Sequence, residues 1–432
     1  MSPLAISVVV FLATVVMFFT GKISLGLIGL IASVLLQLTN VLPAATVWSN
    51  FTNSSVVMFG ALFVLSAGLM KTSLIDNFVQ KLAAVEGNQR KVLWSCLVIS
   101  ILMSIFMNST AAVAAMTPVI LYICERSNVN ARKILKPCCD TANMWTASLP
   151  LGMGASSYLT ANAMIQEMGG TVEMGIMDNA IIKVPVLIVV SLFYFFFADK
   201  FLPNENLSTL GANSSDNTTK KEAQMPPAKE KLTYVIFAGT VACMLCSGIF
   251  GWATPTYMFP VIGSMVMVLC GILKPAEATR SIPITIMLLV GGMLNIAAAL
   301  GNTGGAQLIG DTMASMLGGT TNTYIVLSVL FLVPAICTQF MNNIAVGNAF
   351  QPLAIANCMS VGVDPRLGIV AAAFAATVSI LTPMASAPQA MIMGPGEYKF
   401  MHYIKCAFIP ALLYFVALII WTPIAGKLLW GI

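Results

Sequence analysis

Charge is the scarcest ingredient of this 432-residue chain: only 9% of its residues are Asp, Glu, Lys or Arg, where a soluble domain carries roughly 25%. Histidine is scarcer still, with His402 alone, so a histidine-built metal site or a Ser-His catalytic pair has nothing to draw on. No paired catalytic acids and no Asp-Asp motif lie within the apolar runs, which leaves a membrane-embedded enzyme without support. The ten cysteines sit mostly in or beside apolar runs, as packed thiols do. Cys138-Cys139 and Cys243-x-x-Cys246 have no second ligand cluster to complete a zinc site. The net charge of +5 is too modest to imply nucleic acid. What the chain does have is apolar surface, 58% of residues with a mean hydropathy of +0.90. So much apolar surface cannot be hidden in a water-soluble core, so the chain reads as a polytopic membrane protein. The 28 methionines are core filler at this composition.

One polar stretch occurs twice. Ile105-Phe106-Met107-Asn108-Ser109-Thr110-Ala111, with Pro118 beyond it, is echoed by Phe340-Met341-Asn342-Asn343-Ile344-Ala345, with Pro352 at the same distance. At that offset Ser104 also meets Thr338, Ala111 meets Ala345 and Ala115 meets Ala349. Each polar cluster lies between long apolar runs, where polar groups are most costly.

Lys and Arg mark cytoplasmic loops and set the expected topology. Spans are predicted at about 4–20, 24–39 and 55–70, with the uncharged loop 40–54 outside and 71–91 inside. No small-residue cleavage site follows the first run, which therefore reads as a helix and not a signal peptide. Residues 72–86 carry Leu74, Ile75, Phe78, Val79 and Leu82 at helical spacing, which predicts a short interfacial helix. The stretch 91–125 has basic residues at both ends: Lys81, Arg90 and Lys91, then Arg126, Arg132, Lys133 and Lys136. It is too long for one span and too short for two, so it is expected to be a re-entrant hairpin with Asn108-Ser109-Thr110 at a mid-membrane tip. A span from about 134 is broken by Pro150 and the run Gly152 to Asn162, and a further span at about 177–198 returns the chain inside.

Residues 201–231 are the only long polar segment and read as a flexible linker. The plan then repeats. Spans are expected at about 232–252, 256–273 and 282–300, followed by a Gly-rich amphipathic stretch at 302–318 and a second hairpin at about 323–358. Next come a span broken at Thr382-Pro383-Met384-Ala385-Ser386-Ala387-Pro388-Gln389 and a last span at about 406–425. Arg366 alone flanks the second hairpin, which predicts entry from outside. The expected fold is thus all-α: an inverted repeat over 1–200, a cytoplasmic linker, and a second repeat over 232–432. Each repeat has five spans and one re-entrant hairpin. Such broken helices in inverted halves mark secondary transporters.

These motifs resemble the divalent anion:sodium symporter family of the wider ion transporter superfamily. The residues that carry the resemblance are Asn108-Ser109-Thr110 with Pro118, Asn342-Asn343-Ile344 with Pro352, the two broken-span loops, and Met393-Gly394-Pro395-Gly396-Glu397-Tyr398-Lys399-Phe400. Family members that carry di- and tricarboxylates have Ser-Asn-Thr at both tips, and the middle Asn and final Thr touch the substrate carboxylates. Here those positions are Ser109 and Thr110, then Asn343 and Ile344, so one hydroxyl is lost. The resemblance implies one sodium site from Ser104, Asn108, Ser109 and the Gly152 and Gly154 backbone, and a mirror site from Thr338, Asn342, Asn343 and the Ala385 backbone. Substrate would sit between them, near Ser109, Thr110, Asn343 and Ser386. It also implies a homodimer and a place in the bacterial inner membrane.

The residues themselves leave other readings open. No Lys or Arg lies in the centre of any expected span, so positive potential for an anion must come from half-helix N-termini after Thr110, Thr160, Asn343 or Ala387. Asn108 and Asn342 are equally suited to capping helices, and Ser104 and Thr338 to bonding back onto their own helix. Asp140 can pair with a neighbouring base or relay a proton or cation. Glu167 is expected at the outer surface, and His402 reads as a solvated loop residue. The function expected is sodium-coupled symport of a small divalent anion, a dicarboxylate or a sulfate-like oxyanion, by alternating access. Cation/proton or oxyanion exchange is the alternative, and a channel a more distant one.

Overall fold

The computed structural model describes residues 2–20, 22–73, 77, 88–150, 154–201, 226–250, 254–316 and 320–432. The described residues are helical throughout, with no strand. The first half runs α1 (Pro3–Thr20), α2 (Leu25–Leu38), α3 (Ala44–Phe51), α4 (Ser54–Met70), α5 (Gln89–Phe106), α6 (Ser109–Ser127), α7 (Arg132–Trp145), α8 (Gly154–Glu167) and α9 (Asp178–Phe201). The second half runs α10 (Pro227–Phe250), α11 (Met258–Leu269), α12 (Pro275–Ser281), α13 (Ile284–Thr303), α14 (Gly305–Met316), α15 (Thr323–Cys337), α16 (Asn343–Val361), α17 (Pro365–Ala375), α18 (Ala387–Met393) and α19 (Phe400–Trp430). Seven stretches of the described residues, among them Ile284–Thr303 and Phe400–Trp430, are long and apolar enough to cross a membrane. The chain is an all-α polytopic membrane protein. The interfacial helix expected at 72–86 and most of the linker lie outside the described residues.

The first hairpin closes on itself. Gln89, at the start of α5, donates from Nε2 to the Asn130 carbonyl and accepts the Asn130 N–H at Oε1, at 3.1 and 2.9 Å. The chain therefore leaves this helical pair beside the point where it entered. At 1.5 Å per residue an 18-residue arm such as α5 runs about 27 Å, longer than a dip to the middle of a ~30 Å core requires. Arg90 and Lys91 stand at the start of that arm.

Both arms of this hairpin pack on α7, and both arms of the second, α15 and α16, pack on α17. The halves also cross over. The return arm α6 packs on α18 of the second half, and the return arm α16 packs on α8 of the first. A separate seam joins α2 to α13 through small residues, as membrane helices do where backbones approach closely. A Cβ on Gly292 would stand 2.4 Å from the Gly29 Cα. Beside that seam Asn295 accepts from Asn50 at 3.0 Å and donates to Ser33 at 2.9 Å. The stretch 40–54, expected as an outside loop, accordingly contains α3, which buries Val47 and Asn50 against α13.

Candidate functional site

The unwound stretch between α17 and α18 has no helical partners for its backbone, so side chains must supply them. They do so almost residue by residue. Thr338 Oγ1 meets the Ala376 carbonyl at 3.0 Å, Gln339 Nε2 the Val378 carbonyl at 2.7 Å, Asn143 Nδ2 the Ser379 carbonyl at 3.0 Å, and Lys136 Nζ the Ile380 carbonyl at 2.9 Å. Gln339 also accepts the Leu381 N–H at Oε1, at 2.9 Å, and its own carbonyl accepts from Thr382 Oγ1 at 2.6 Å. The loop is thus held open and fixed by buried polar residues of α7 and of the second hairpin.

At the second tip, Thr338 Oγ1 lies 3.0 Å from both Asn343 Oδ1 and the Ala376 carbonyl. Three oxygens converge there with one hydroxyl proton between them, the kind of donor set that unwound carbonyls and side chains offer a sodium ion. The carbonyl in this group belongs to Ala376, and the Ala385 N–H closes a turn onto the Thr382 carbonyl at 3.3 Å. Asn343 Nδ2 donates to Ser379 Oγ at 2.6 Å. The same oxygen receives Asn143 Nδ2 at 2.6 Å, and Asn143 also reaches Ser386 Oγ at 3.3 Å. Asn343 and Ser386 are therefore brought together through Ser379 and Asn143. Asn342 caps α16, accepting from the Ile344 N–H at 2.9 Å.

The first tip is built differently. Asn108 caps α6 by accepting the Ala111 N–H at 2.8 Å. Ser104 is turned back onto the Ser100 carbonyl at 2.6 Å. Ser104 and Asn108 line a cavity of about 170 Å³ with Phe63, Ser66, Met70 and Ala147. At ~30 Å³ per water it has room for an ion with several waters or for a small anion. Ser109 is half-buried and Thr110 exposed at the start of α6, where backbone N–H groups lack helical partners. Ala147, at φ +56°, holds the left-handed conformation that disfavours a side chain. A Cβ on Gly154 would stand 2.0 Å from the Leu149 carbonyl. Gly152 lies outside the described residues.

Two lysines are buried inside the protein, each within two turns of the start of its helix. Lys136 is fully buried on α7 and ion-paired with Asp140, also fully buried. Asp140 accepts from Gln389 Nε2 at 2.7 Å and from Tyr194 OH at 2.6 Å. Lys183, on α9, is 1% exposed and donates to the Thr146 carbonyl at 3.1 Å. His402 sits in the first turn of α19, not in a loop, and its Nδ1 accepts the Lys399 N–H at 3.3 Å. Asn143, Ser379, Gln339 and Lys183 were missed from sequence. The available signal was a polar residue beside each break: Asn143 precedes the first, and Ser379 lies inside the second.

A family model described as citrate transporter matches residues 15–367 and 257–430. The chain belongs to the citrate transporter family. The sodium-dependent dicarboxylate transporter SdcS of Staphylococcus saprophyticus is 22% identical over 417 residues, 88% of this chain and 78% of that protein. The uncharacterized transporter YfbS of Escherichia coli is 28% identical over 191 residues. That match covers 44% of this chain, and the chain spans only 30% of the length of YfbS. Among solved structures, the YdaH transporter of Alcanivorax borkumensis superposes with a TM-score of 0.63 at 12% identity, over 89% of this chain and 88% of that one. As a citrate transporter family member with these relatives, the chain is an integral membrane protein, and the proteins it resembles are named as transporters.

Proposed function

We propose that this protein is a sodium-coupled symporter of a small divalent anion. The observation that carries this reading is the cluster of Thr338 Oγ1, Asn343 Oδ1 and the Ala376 carbonyl, three oxygens beside an unwound loop. The second site, at Ser104, Asn108, Ser109, Gly152 and Gly154, belongs to the same proposal, as does the anion's place near Ser109, Thr110, Asn343 and Ser386. The relatives named as sodium-dependent dicarboxylate transporters support both the ion and the substrate class. Ile344 stands where a hydroxyl would meet a carboxylate, which favours a ligand needing one contact fewer at that tip.

In this reading residues 1–200 and 232–432 are inverted repeats, and the hairpin-bearing module moves against a scaffold seamed by α2 and α13. A sodium ion that enters with the anion lowers the desolvation cost of carrying charge across. Uptake of citrate, succinate and sulfate into proteoliposomes tests the proposal. At least one should accumulate only under an inward sodium gradient, and uptake indifferent to sodium would sink it. A parallel thermal-shift screen should show a raised melting point for the true anion in sodium but not in potassium.

A further inference from the structure

The turn that follows α6 is repeated after α16. Asn128 and Gly362 both hold the left-handed conformation, at φ +51° and +73°. The Val129 N–H returns to the Cys124 carbonyl and the Val363 N–H to the Cys358 carbonyl, each at 2.9 Å. The side chains of Asn130 and Asp364 then accept the N–H of Arg132 and of Arg366, at 3.0 and 2.8 Å. Every one of these pairs is separated by the offset that relates the two polar stretches. Arg132 and Arg366 are therefore counterparts by local geometry as well as by spacing.

Each arginine reaches into the other half. Arg132, 5% exposed, donates from Nε to the Gly396 carbonyl at 2.9 Å and from Nη2 to the Glu397 carboxylate at 2.8 Å. These acceptors lie in the loop between α18 and α19. Arg366 donates from Nη1 to the Glu173 carbonyl at 3.2 Å, in the loop between α8 and α9. Its acidic partner, Asp364, sits on its own turn. Both loops are fastened to the half-helix before them. The Tyr398 N–H returns to the Met393 carbonyl at 2.9 Å, and Asn162 of α8 exchanges two hydrogen bonds with the Met174 backbone, at 2.9 and 2.7 Å. A guanidinium that holds the loop thus holds the half-helix as well.

We propose that Arg132 and Arg366 are a matched pair of positioning residues, each clasping the turn of one half to the half-helix of the other, so that α18 and α8 present their N-termini to the anion in a fixed place; that last step rests on the anion's place proposed above. The two clasps differ in strength. Arg132 spends its fork on a carbonyl and a carboxylate of the other half, and charge-assisted bonds of that kind are the strong ones. Arg366 spends its charge at home and holds the other half by a neutral carbonyl. They differ also in reach. The 7 residues of α18 span about 10 Å and the 14 of α8 about 21 Å. Arg132 thus acts on the start of α18, beside Ser386, through the tighter hold and the shorter lever.

Hydrogen exchange on the purified full-length protein tests the clasps without any ligand. Arg132→Ala should quicken exchange about tenfold over residues 387–398 and leave 156–174 unchanged, and Arg366→Ala should do the reverse. Quickening confined to the altered arginine's own helix, or spread to α2 and α13 as well, overturns the inference. Should an alanine variant fail to fold, the lysine variant at the same position, which keeps the charge and loses the planar fork, is read in the same way. Uptake of citrate, succinate and sulfate into proteoliposomes then reads the site. Arg132→Ala should raise the KM of the transported anion about tenfold with the maximal rate little changed, and Arg366→Ala should raise it less. An unchanged KM in an Arg132→Ala protein whose α18 exchanges faster overturns the positioning role. A wild type that takes up none of the three overturns the anion's proposed place, and the exchange pattern still decides the clasps.

Discussion

Both carboxylate oxygens of Asp140 are taken, Oδ1 by Lys136 and Gln389 and Oδ2 by Tyr194. A carboxylate so committed holds helices together, and the pair should behave as a structural unit. Breaking a buried pair leaves a charge without compensation and costs about 3–5 kcal/mol. Asp140→Ala should therefore lower the melting temperature sharply, while Asp140→Leu combined with Lys136→Met should recover much of the loss. A proton-relay role predicts instead that Asp140→Asn stays as stable as the wild type and loses transport. Thr338→Val should raise the sodium concentration for half-maximal uptake by about tenfold, the equivalent of ~1.4 kcal/mol, and Thr338→Ser should restore it. The tip residues stand out in the sequence because the same polar pattern occurs twice. Lys183, Asn143 and Ser379 could not, because their contacts reach from one half or element to another and leave no local spacing to detect.

At the scale of elements, the loop between α17 and α18 depends on a single side chain more than on any cap. Gln339 satisfies the Val378 carbonyl and the Leu381 N–H together. Gln339→Leu leaves both unpaired, at about 1–3 kcal/mol each. Hydrogen exchange over residues 376–386 should quicken in that variant while exchange in α2 and α13 stays unchanged. The α2–α13 seam fails by a different route. At Gly292 even a methyl group would overlap the Gly29 backbone, so Gly292→Leu should abolish the folded monomodal peak in size-exclusion chromatography. The two helical pairs α5–α6 and α15–α16 stand out in the sequence because polar residues mark their turns. Helix α3 was not, because a short uncharged run such as Ala44–Phe51 looks like a loop until Asn295 is seen to receive Asn50.

For the whole molecule the open claim is inversion. By the charge rule the base of the first hairpin is expected inside and that of the second outside. Cysteines at Asn88 and Thr321, both exposed, report on this in a Cys270→Ser background. An impermeant maleimide added to intact cells should label Thr321→Cys alone, and added to inverted vesicles should label Asn88→Cys alone. Labelling of both from one side would remove the inverted-repeat reading. Fold class followed from composition, and the doubled motif is what proposes the repeat. The stitching of one half to the other had no counterpart in sequence.

That stitching bears on leakage. Ser379 Oγ receives one amide from Asn343 and one from Asn143, at 2.6 Å each. The second hairpin and the first half's broken span therefore share an atom and cannot drift apart independently. Under the proposed sodium-coupled reading, a tip tied in this way to the other half has no low-energy route to swing with only part of its load. Ser379→Ala would loosen the tie without touching the α2–α13 seam, and slippage, sodium running down its gradient with no anion moved, is the expected symptom.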